Sequence, residues 1–362
     1  MKFTVTQENL SKALNNVSRI ASSRAGMPIL SNILLKAEGN QLILSATNLE
    51  VAIVENINAN VSKEGSTLLP ARLVNDFVSN LPHAKLSLEL KDNKINIKCD
   101  SYKSTINVLP INDYPAIPEI TKGDSIKVRL DDFKKAINLT APIASNDVSR
   151  PLLTGVNIYS NDGYIYMVAT DGYRLAEKKL TDSKKDFNFL VPATSLIEFG
   201  RVFSGRESIE VYFSDDQVSF ISDNTVFTSR LIDDNFINYK QLIPSDNKFT
   251  AKVNKDELIK ITKIAQLFAR ETSGTITLDL NSDDKKLSIY SITSELGNNS
   301  SSIEANISGG NSSVNANSKF LIDALNCIDS DDVEIGFSSK VSPILIKGKD
   351  DSYIHIVMPV KS

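Results

Sequence analysis

Cysteine, histidine and tryptophan are scarce in this sequence: its 362 residues include two cysteines, two histidines and no tryptophan. Cys99 and Cys327 lie far apart with no partner at short spacing, which argues against a disulfide scaffold or a cysteine zinc site and is typical of a reducing compartment. A histidine metal site or a Ser-His-Asp triad would have to use His83, in a turn-like stretch, or His355, in a strand-like stretch. We therefore predict no metal and no cofactor.

Several other signatures are missing as well. The sequence has no phosphate-binding GxxxxGK[ST] loop, no GxGxxG after a strand, no HExxH and no GxSxG, and this lowers the expectation of an enzyme. No apolar run approaches the roughly 18 residues of a membrane span, and the start "MKFTVTQENL" has no apolar signal region, so we expect a cytoplasmic protein without membrane contact. The net charge of −4 is not that of a strongly basic nucleic-acid binder, but it leaves room for a local basic patch.

What the chain does contain is a threefold internal repeat. "FTVTQENLSKALNNVSRIA" begins at Phe3, "IKVRLDDFKKAINLTAPIA" at Ile126 and "AKVNKDELIKITKIAQLFA" at Ala251. Each stretch predicts a short strand followed by an amphipathic helix whose inward positions follow the i, i+3, i+4, i+7, i+11 spacing. Those positions are Leu10, Ala13, Leu14, Val17 and Ala21; Phe133, Ala136, Ile137, Thr140 and Ala144; and Leu258, Ile261, Thr262, Ala265 and Ala269.

The ends of these three helices also carry signals. Thr6, Asp131 and Asn254 stand just before the helical patterns and are good N-cap residues. Pro142 should end or kink the second helix early, because proline cannot donate the helical hydrogen bond.

The repeat extends through each copy, with further strands, a second short helix and a closing proline segment. We therefore predict an α+β fold of three repeated domains, since solenoid units are much shorter. Polar turn sequences near residues 124 and 248 mark the boundaries. The predicted domains are residues 1–124, 125–248 and 249–362.

Lysine and arginine recur on the outer faces of the repeated helices. On one helix the simplest interpretation of such residues is a face exposed to solvent. Their recurrence in every copy favours a shared basic surface instead. If the copies form an arc, equivalent basic helices would line one surface and hold a polyanion through phosphate contacts without reading sequence. The residues on the three longer helices are Lys12 and Arg19, then Lys134 and Lys135, then Lys255, Lys260, Lys263 and Arg270.

Over its whole length the chain resembles the β sliding clamps of bacterial DNA polymerase III. The resemblance rests on the threefold repeat, on "MKFTV" and "MPILSNILL" near the start, on "ATDGYRLA" and "VPA" in the middle, and on the terminal "VMP". It implies a non-catalytic processivity factor: two chains join head to tail into a ring, helices line the hole, antiparallel sheets form the outside, and duplex DNA threads through regardless of sequence.

The resemblance also implies partners and contact residues. The partners would be double-stranded DNA, a second copy of the chain, and the DNA polymerase III alpha subunit, the clamp loader, other DNA polymerases and repair proteins that carry short apolar peptides. DNA contacts would fall on Arg24, Arg72 and Arg150. The peptide pocket would be formed by Leu153, Thr170, Gly172, Tyr173, Arg174, Leu175, Leu242, Asn317, Phe320, Val341, Ile356, Met358, Pro359 and Val360.

The sequence departs from the family pattern at several pocket positions, which puts the detailed peptide preference in question. Ile237 and Gln241 stand where proline and arginine are common, and the chain ends in Lys361 and Ser362. Thr194 or Ser195 replaces a usual lysine, so the DNA contacts could be shifted.

Two alternatives stay open at this point. One is a multidomain peptide-binding scaffold that does not encircle DNA. The other is a hydrolase that uses Asp171 and His355, against which stands the shortage of groups that could activate a nucleophile.

The segment "VATDGYRLAE" illustrates how the repeat guides interpretation. Its mates "SATNLEVA" and "YSITSELG" indicate that a strand running into a turn is common to all three copies. Only the middle copy has Gly-Tyr-Arg-Leu, and Gly172 would let a ligand backbone approach closely. We therefore predict that the turn is structural and that its side chains are specialised for docking.

Overall fold

A computed structural model of the chain describes residues 1–21, 27–117, 123–293 and 297–361. Arg24, one of the three predicted DNA contacts, lies outside the described residues. Part of the third repeat's "YSITSELG" turn lies outside them too.

The N-terminal repeat alternates strands with two helices. Its elements are β1 (Lys2–Thr6), α1 (Gln7–Ser18), β2 (Asn32–Glu38), β3 (Gln41–Thr47), β4 (Val51–Asn58), β5 (Asn60–Lys63), β6 (Gly65–Pro70), α2 (Ala71–Ser79), β7 (Lys85–Lys91), β8 (Lys94–Cys99) and β9 (Tyr102–Asn107).

The C-terminal repeat follows the same order, and the middle repeat has one strand fewer between its two helices. The middle elements are β10 (Ser125–Arg129), α3 (Leu130–Thr140), β11 (Gly155–Asn161), β12 (Tyr164–Thr170), β13 (Arg174–Asp182), β14 (Asn188–Pro192), α4 (Ala193–Val202), β15 (Ser208–Phe213), β16 (Gln217–Ser222) and β17 (Thr225–Arg230). The last are β18 (Phe249–Asn254), α5 (Lys255–Phe268), β19 (Thr275–Asn281), β20 (Lys286–Thr293), β21 (Gly297–Glu304), β22 (Asn306–Ser308), β23 (Ser312–Asn317), α6 (Ser318–Asn326), β24 (Asp332–Phe337), β25 (Ile344–Lys347) and β26 (Tyr353–Val357).

The first compact unit comprises residues 1–134 and 194–233. It contains a five-stranded sheet, β5-β1-β7-β8-β9, and an eight-stranded sheet, β10-β15-β16-β17-β4-β3-β2-β6. The eight-stranded sheet is continuous because β17 of the middle repeat pairs antiparallel with β4 of the N-terminal repeat, from Thr225 opposite Glu55 to Ser229 opposite Val51. Helix α1 packs on α2 and against β3 and β4.

The second compact unit comprises residues 135–193 and 234–362. Its nine-stranded sheet has the order β14-β11-β12-β13-β26-β25-β24-β18-β22, and its four-stranded sheet has the order β21-β20-β19-β23. The join is again antiparallel: β13 pairs with β26, from Arg174 opposite Val357 to Lys178 opposite Tyr353. Helix α5 packs on α6 and against β20 and β21.

The predicted helix faces are largely confirmed. Of the predicted inward residues, all are buried except Ala21 and Ala144, which are half-buried. These two lie beyond the last turns, because α1 ends at Ser18 and α3 at Thr140. The early end of α3 is the one predicted from Pro142, which stands in a 3₁₀ turn, Ala141–Ile143.

Two of the three predicted N-caps are confirmed. The side chains of Thr6 and Asn254 accept hydrogen bonds from backbone N–H groups in the first turns of α1 and α5. The prediction for Asp131 is wrong, because α3 already begins at Leu130. Asp131 instead lies in the first turn, where a carboxylate interacts favourably with the positive end of the helix dipole.

Three further features of the described ranges bear on function. None of their helices is both long and apolar enough to span a membrane. No group of three or more histidine, cysteine and acidic side chains there is arranged to hold a metal ion. Both cysteines are free thiols.

Candidate partner-docking site

The turn between β12 and β13, residues 170–174, is closed by its own side chains. The Thr170 hydroxyl donates to the carbonyl of Arg174 (2.6 Å) and accepts from the backbone N–H of Gly172 (3.1 Å). One carboxylate oxygen of Asp171 accepts from the backbone N–H groups of Tyr173 (2.9 Å) and Arg174 (3.0 Å). Thr170 and Asp171 therefore serve to shape the turn.

The N-terminal repeat contains the same turn at residues 47–51. Thr47 donates to the carbonyl of Val51 (2.9 Å) and accepts from Leu49 N–H (3.0 Å), and the Asn48 side chain accepts from the next two N–H groups (3.0 and 2.8 Å). Leu49 takes the place of Gly172, and both have left-handed backbones, with φ of 73° and 91°. For these two copies the prediction that the turn is structural is confirmed.

Gly172 leaves open space beside two other predicted residues. A Cβ atom built on Gly172 would lie 4.0 Å from Nη1 of Arg150 and 4.0 Å from Cδ1 of Leu153. Arg150 also forms an ion pair with Asp147, with 3.0 Å between Nε and Oδ2. We call residues 170–174 the docking turn, after the role predicted for them. The structure thus places Arg150, a predicted DNA contact, at the edge of this turn.

Arg174 connects this turn to helix α6. Its Nε lies 2.9 Å from an Asp171 carboxylate oxygen, its Nη1 lies 2.6 Å from an oxygen of Asp323, and its guanidinium carbon is 4.6 Å from the centre of the Phe320 ring. Because two carboxylates and an aromatic face hold it, and only 11% of its side chain is exposed, Arg174 is fixed before any ligand binds.

Asn317 belongs to the same region but acts through the helix backbone. It caps α6, and its side-chain oxygen accepts from the N–H groups of Lys319 (2.9 Å) and Phe320 (3.3 Å). This cap fixes the start of the helix that carries Phe320.

An apolar cluster lies under the turn. Its buried members are Val168, Leu175, Tyr239, Leu345 and Ile356, and partly buried side chains, including Leu242 and Met358, pack against them. Leu175 and Ile356 are cross-strand neighbours on β13 and β26. The structure therefore brings four of the predicted pocket residues, Leu175, Leu242, Ile356 and Met358, into one cluster.

The C-terminal tail is tied down at two points. Met358 N–H donates to the carbonyl of Tyr173 (2.8 Å), and Val360 N–H donates to the carbonyl of Asn315 (3.0 Å), with Pro359 between them. Tyr173 itself presents 61% of its surface to solvent. The tail thus connects the docking turn to β23.

Val341 stands apart from the other predicted pocket residues. It lies between β24 and β25, and 67% of its surface is exposed. Among the described residues, Val341 is not a member of the apolar cluster that contains Leu175 and Ile356.

The hydrolase alternative is wrong. His355 is completely buried, and burial, helped by the positive charge of Arg174, lowers its pKa to about 3. Its Nδ1 lies 2.9 Å from the Tyr353 hydroxyl. A buried imidazole that stays neutral cannot serve a solvent-accessible nucleophile, and the Asp171 carboxylate is already used by Arg174 and the turn.

The predicted basic helix faces are only partly available. Lys134 donates to the carbonyl of Phe203 after α4, and Lys255 donates to the carbonyl of Ile328 after α6 (2.9 Å each). Lys135 is ion-paired with Asp329. These lysines therefore cap neighbouring helices or pair with carboxylates. Exposed basic side chains include Lys12, Arg19, Arg72, Lys260, Lys263 and Arg270.

Sequence reasoning missed two residues that organise the site, Asp323 and Tyr239. Asp323 stands three residues after Phe320 on α6, so helical spacing could have placed it on the same face. Tyr239 carries no comparable local signal, because its partners lie on distant strands.

Comparisons with known proteins agree along the whole chain. Residues 1–118, 127–238 and 240–361 match the N-terminal, central and C-terminal domains described as those of the DNA polymerase III beta subunit. A Staphylococcus epidermidis protein named "Beta sliding clamp" is 30% identical over the full length of both chains.

Solved structures give the same result. A DNA polymerase sliding clamp from Bacillus subtilis aligns over 100% of this chain and 99% of its own, with 27% identity and a TM-score of 0.95. A sliding clamp from Pseudomonas aeruginosa, described as bound to griselimycin, aligns over the whole of both chains with 25% identity and a TM-score of 0.94.

Proposed function

This chain belongs to the family of DNA polymerase III beta subunits, and from that premise we propose that two copies close head to tail into a ring around duplex DNA. The chain has the three-domain clamp fold, and it is a DNA sliding clamp, a non-catalytic subunit of the polymerase. We take residues 1–124, 125–248 and 249–362 as its three domains. A closed ring confers processivity because it stays on DNA by topology and needs only weak contacts.

Two separate surfaces support ring closure. In the first unit, β9 is one of the two end strands of its sheet, and the apolar residues Leu73 and Tyr102 are more than half exposed. In the second unit, β21 is an end strand, and Ile264 and Leu267 are exposed on α5. End strands and exposed apolar groups favour pairing with another chain, and two unlike surfaces fit a heterologous contact.

We further propose that the surface around the 170–174 turn docks short apolar peptides. One observation carries this proposal: Arg174, Phe320 and the C-terminal tail are already held in place by contacts within the chain. They lie beside the apolar cluster, whose outer side chains are only partly buried. An apolar surface with a few fixed polar groups suits an oriented peptide. The partners would be the polymerase alpha subunit, the clamp loader, and other polymerases and repair proteins.

The DNA contacts stay a proposal and include Arg24, Arg72 and Arg150. Arg72 is exposed on α2, whereas Arg150 is partly engaged by Asp147 and lies beside the docking turn. Since phosphate contacts carry no sequence information, their loss should weaken binding equally on all sequences.

Retention on circular DNA tests the ring. Protein loaded by a clamp loader onto a nicked circular plasmid should stay bound through gel filtration and should leave once the circle is cut. Equal loss from circular and linear DNA would contradict a ring and would favour the alternative, a peptide-binding scaffold that does not encircle DNA. Small-angle scattering would then show a compact monomer.

A further inference from the structure

The connector of residues 236–243 carries Leu242 into the proposed docking surface, and its apolar side chains pack in or against the cluster of Leu175 and Ile356. The hydrogen bonds that the described residues show for its backbone are local: Tyr239 N–H to Ile237, Leu242 N–H to Tyr239 (2.8 Å) and Ile243 N–H to Lys240. These bonds shape a 3₁₀ turn, Lys240–Leu242, but do not attach it to the sheet. Attachment falls to side chains.

Among these side chains, Tyr239 adds a polar attachment through its hydroxyl group. It donates a hydrogen bond to the Glu177 carboxylate on β13 and is hydrogen-bonded to the Tyr159 hydroxyl on β11. Glu177 follows Leu175 by two residues, so the two side chains share a face of the sheet. The hydroxyl anchor therefore lies on the same face as the apolar cluster.

The Tyr239 ring makes this anchor rigid. It is 4% exposed within the cluster of Leu175 and Ile356, and the Phe236 ring packs against it edge to face with centroids 6.1 Å apart. Burial, followed by the nearby Glu177 charge, raises the pKa of Tyr239, so the hydroxyl keeps its proton and donates. Burial also raises the pKa of Tyr159 to about 12.

We propose that Tyr239, anchored by Glu177 and Tyr159, is a positioning residue that sets Leu242 in the wall of the peptide pocket. The proposal rests on the docking function proposed above and adds to it the group that determines how tightly an apolar ligand is held. Tyr239 does not touch the ligand: it acts through Leu242, whose N–H bonds to the Tyr239 carbonyl.

A double-mutant cycle tests this, with isothermal titration calorimetry as the measurement. The probe is griselimycin, which we propose binds this chain because a similar clamp from Pseudomonas aeruginosa is described as bound to it. Tyr239→Phe keeps the buried ring and removes the hydroxyl anchor, so the dissociation constant should rise about fivefold, the effect of one hydrogen bond. Leu242→Ala should weaken binding as well. In the Leu242→Ala background Tyr239→Phe should add almost nothing, because its effect passes through Leu242.

Glu177 provides the conservative control. Glu177→Gln keeps an oxygen that accepts from the Tyr239 hydroxyl and should bind the probe within about twofold of the parent, whereas Glu177→Ala should match Tyr239→Phe. If the variants merely lost stability, their melting temperatures would fall, but probe affinity would not separate Glu177→Gln from Glu177→Ala and Tyr239→Phe.

The outcomes separate the two proposals. If Leu242→Ala weakens binding and Tyr239→Phe does not, or if their effects simply add, the positioning role is wrong and the docking site stands. If Leu242→Ala and Met358→Ala both leave probe affinity unchanged, the docking site itself is wrong.

Discussion

A single left-handed backbone position distinguishes two turns that otherwise share their hydrogen bonds. Gly172 leaves space at this position, whereas Leu49 fills it with a side chain that is 39% exposed. A bulky residue with positive φ costs of order 1 kcal/mol, yet the N-terminal repeat accepts it. The fold therefore tolerates leucine at this position. Glycine in the middle repeat is better explained by the approach of a ligand to the turn than by a need of the fold.

This argument predicts the behaviour of Gly172→Leu. The variant should fold with a loss of about 1 kcal/mol in the free energy of unfolding, measured by denaturant titration. Its affinity for griselimycin should fall at least about tenfold, because the new side chain occupies the space a ligand would use. Leu49→Gly is the matched control and should leave affinity unchanged. Full affinity in Gly172→Leu would show that the ligand does not approach this turn.

The buried His355 predicts a pH dependence of stability. Its pKa is about 3 in the folded chain and 6.5 when unfolded, so below about pH 6.5 the unfolded state binds the extra proton. The stabilisation present above pH 6.5 is therefore lost as pH falls, by about 2 kcal/mol between about pH 7 and about pH 5. Urea titrations at both pH values measure this loss.

His355→Asn is the control for the pH experiment. The amide group carries both a donor and an acceptor and can therefore keep the hydrogen bond to the Tyr353 hydroxyl in either direction, but the side chain does not titrate. The variant should be less stable at neutral pH, and its loss of stability on acidification should be smaller than that of the parent. An equal loss in both proteins would show that other groups dominate.

At the scale of helices, the structure divides the lysines of the repeated faces into two roles. Lys134 and Lys255 reach the C-terminal ends of α4 and α6, where a cation satisfies a terminal carbonyl and the negative end of the dipole. In the N-terminal repeat Gln7, which holds the position of Lys255, makes a similar bond to the carbonyl of Val78 in the last turn of α2 (2.8 Å). Charge at these positions is therefore explained by helix packing.

The division predicts opposite results for two lysine variants. Lys134→Met should lower the free energy of unfolding by about 1 kcal/mol and leave DNA retention unchanged. Lys260→Ala, at an exposed position on α5, should leave stability unchanged. It should reduce the slope of the logarithm of DNA affinity against the logarithm of salt concentration by about 1. Melting curves and salt titrations of DNA affinity distinguish these roles. A DNA defect in Lys134→Met would contradict the assignment.

Local patterns predicted the helices and the common turn, because both depend on residues a few positions apart. The helix spacing identified Leu10, Phe133 and Leu258 as buried positions. The Arg174–Asp323 pair spans 149 residues and the Tyr239–Glu177 pair spans 62, and no local pattern encodes such contacts. The residues proposed for the pocket could be named only through resemblance to a family.

The compact units show what the repeat alone could not reveal. Strand β4 pairs with β17 and β13 pairs with β26, so each large sheet runs from one repeat into the next. This follows from strand edges that must find partners, since unpaired edges leave backbone groups exposed. Of the end strands that remain, β9 and β21 are the two that we propose a second copy of the chain pairs with to continue the sheets.

Ring closure predicts that one exposed apolar residue controls both assembly and retention on DNA. Leu267→Asp places a carboxylate at a position on α5 that is 55% exposed in the single chain, so folding should be unaffected while burial in a dimer would be opposed. We expect sedimentation to show a monomer and the circular-plasmid assay to show no retention. Griselimycin affinity should be unchanged, because the docking surface that we propose lies on other elements of the same unit. A stable dimer in this variant would mean that the chains meet through another surface, and loss of probe binding would mean that the substitution had damaged the unit.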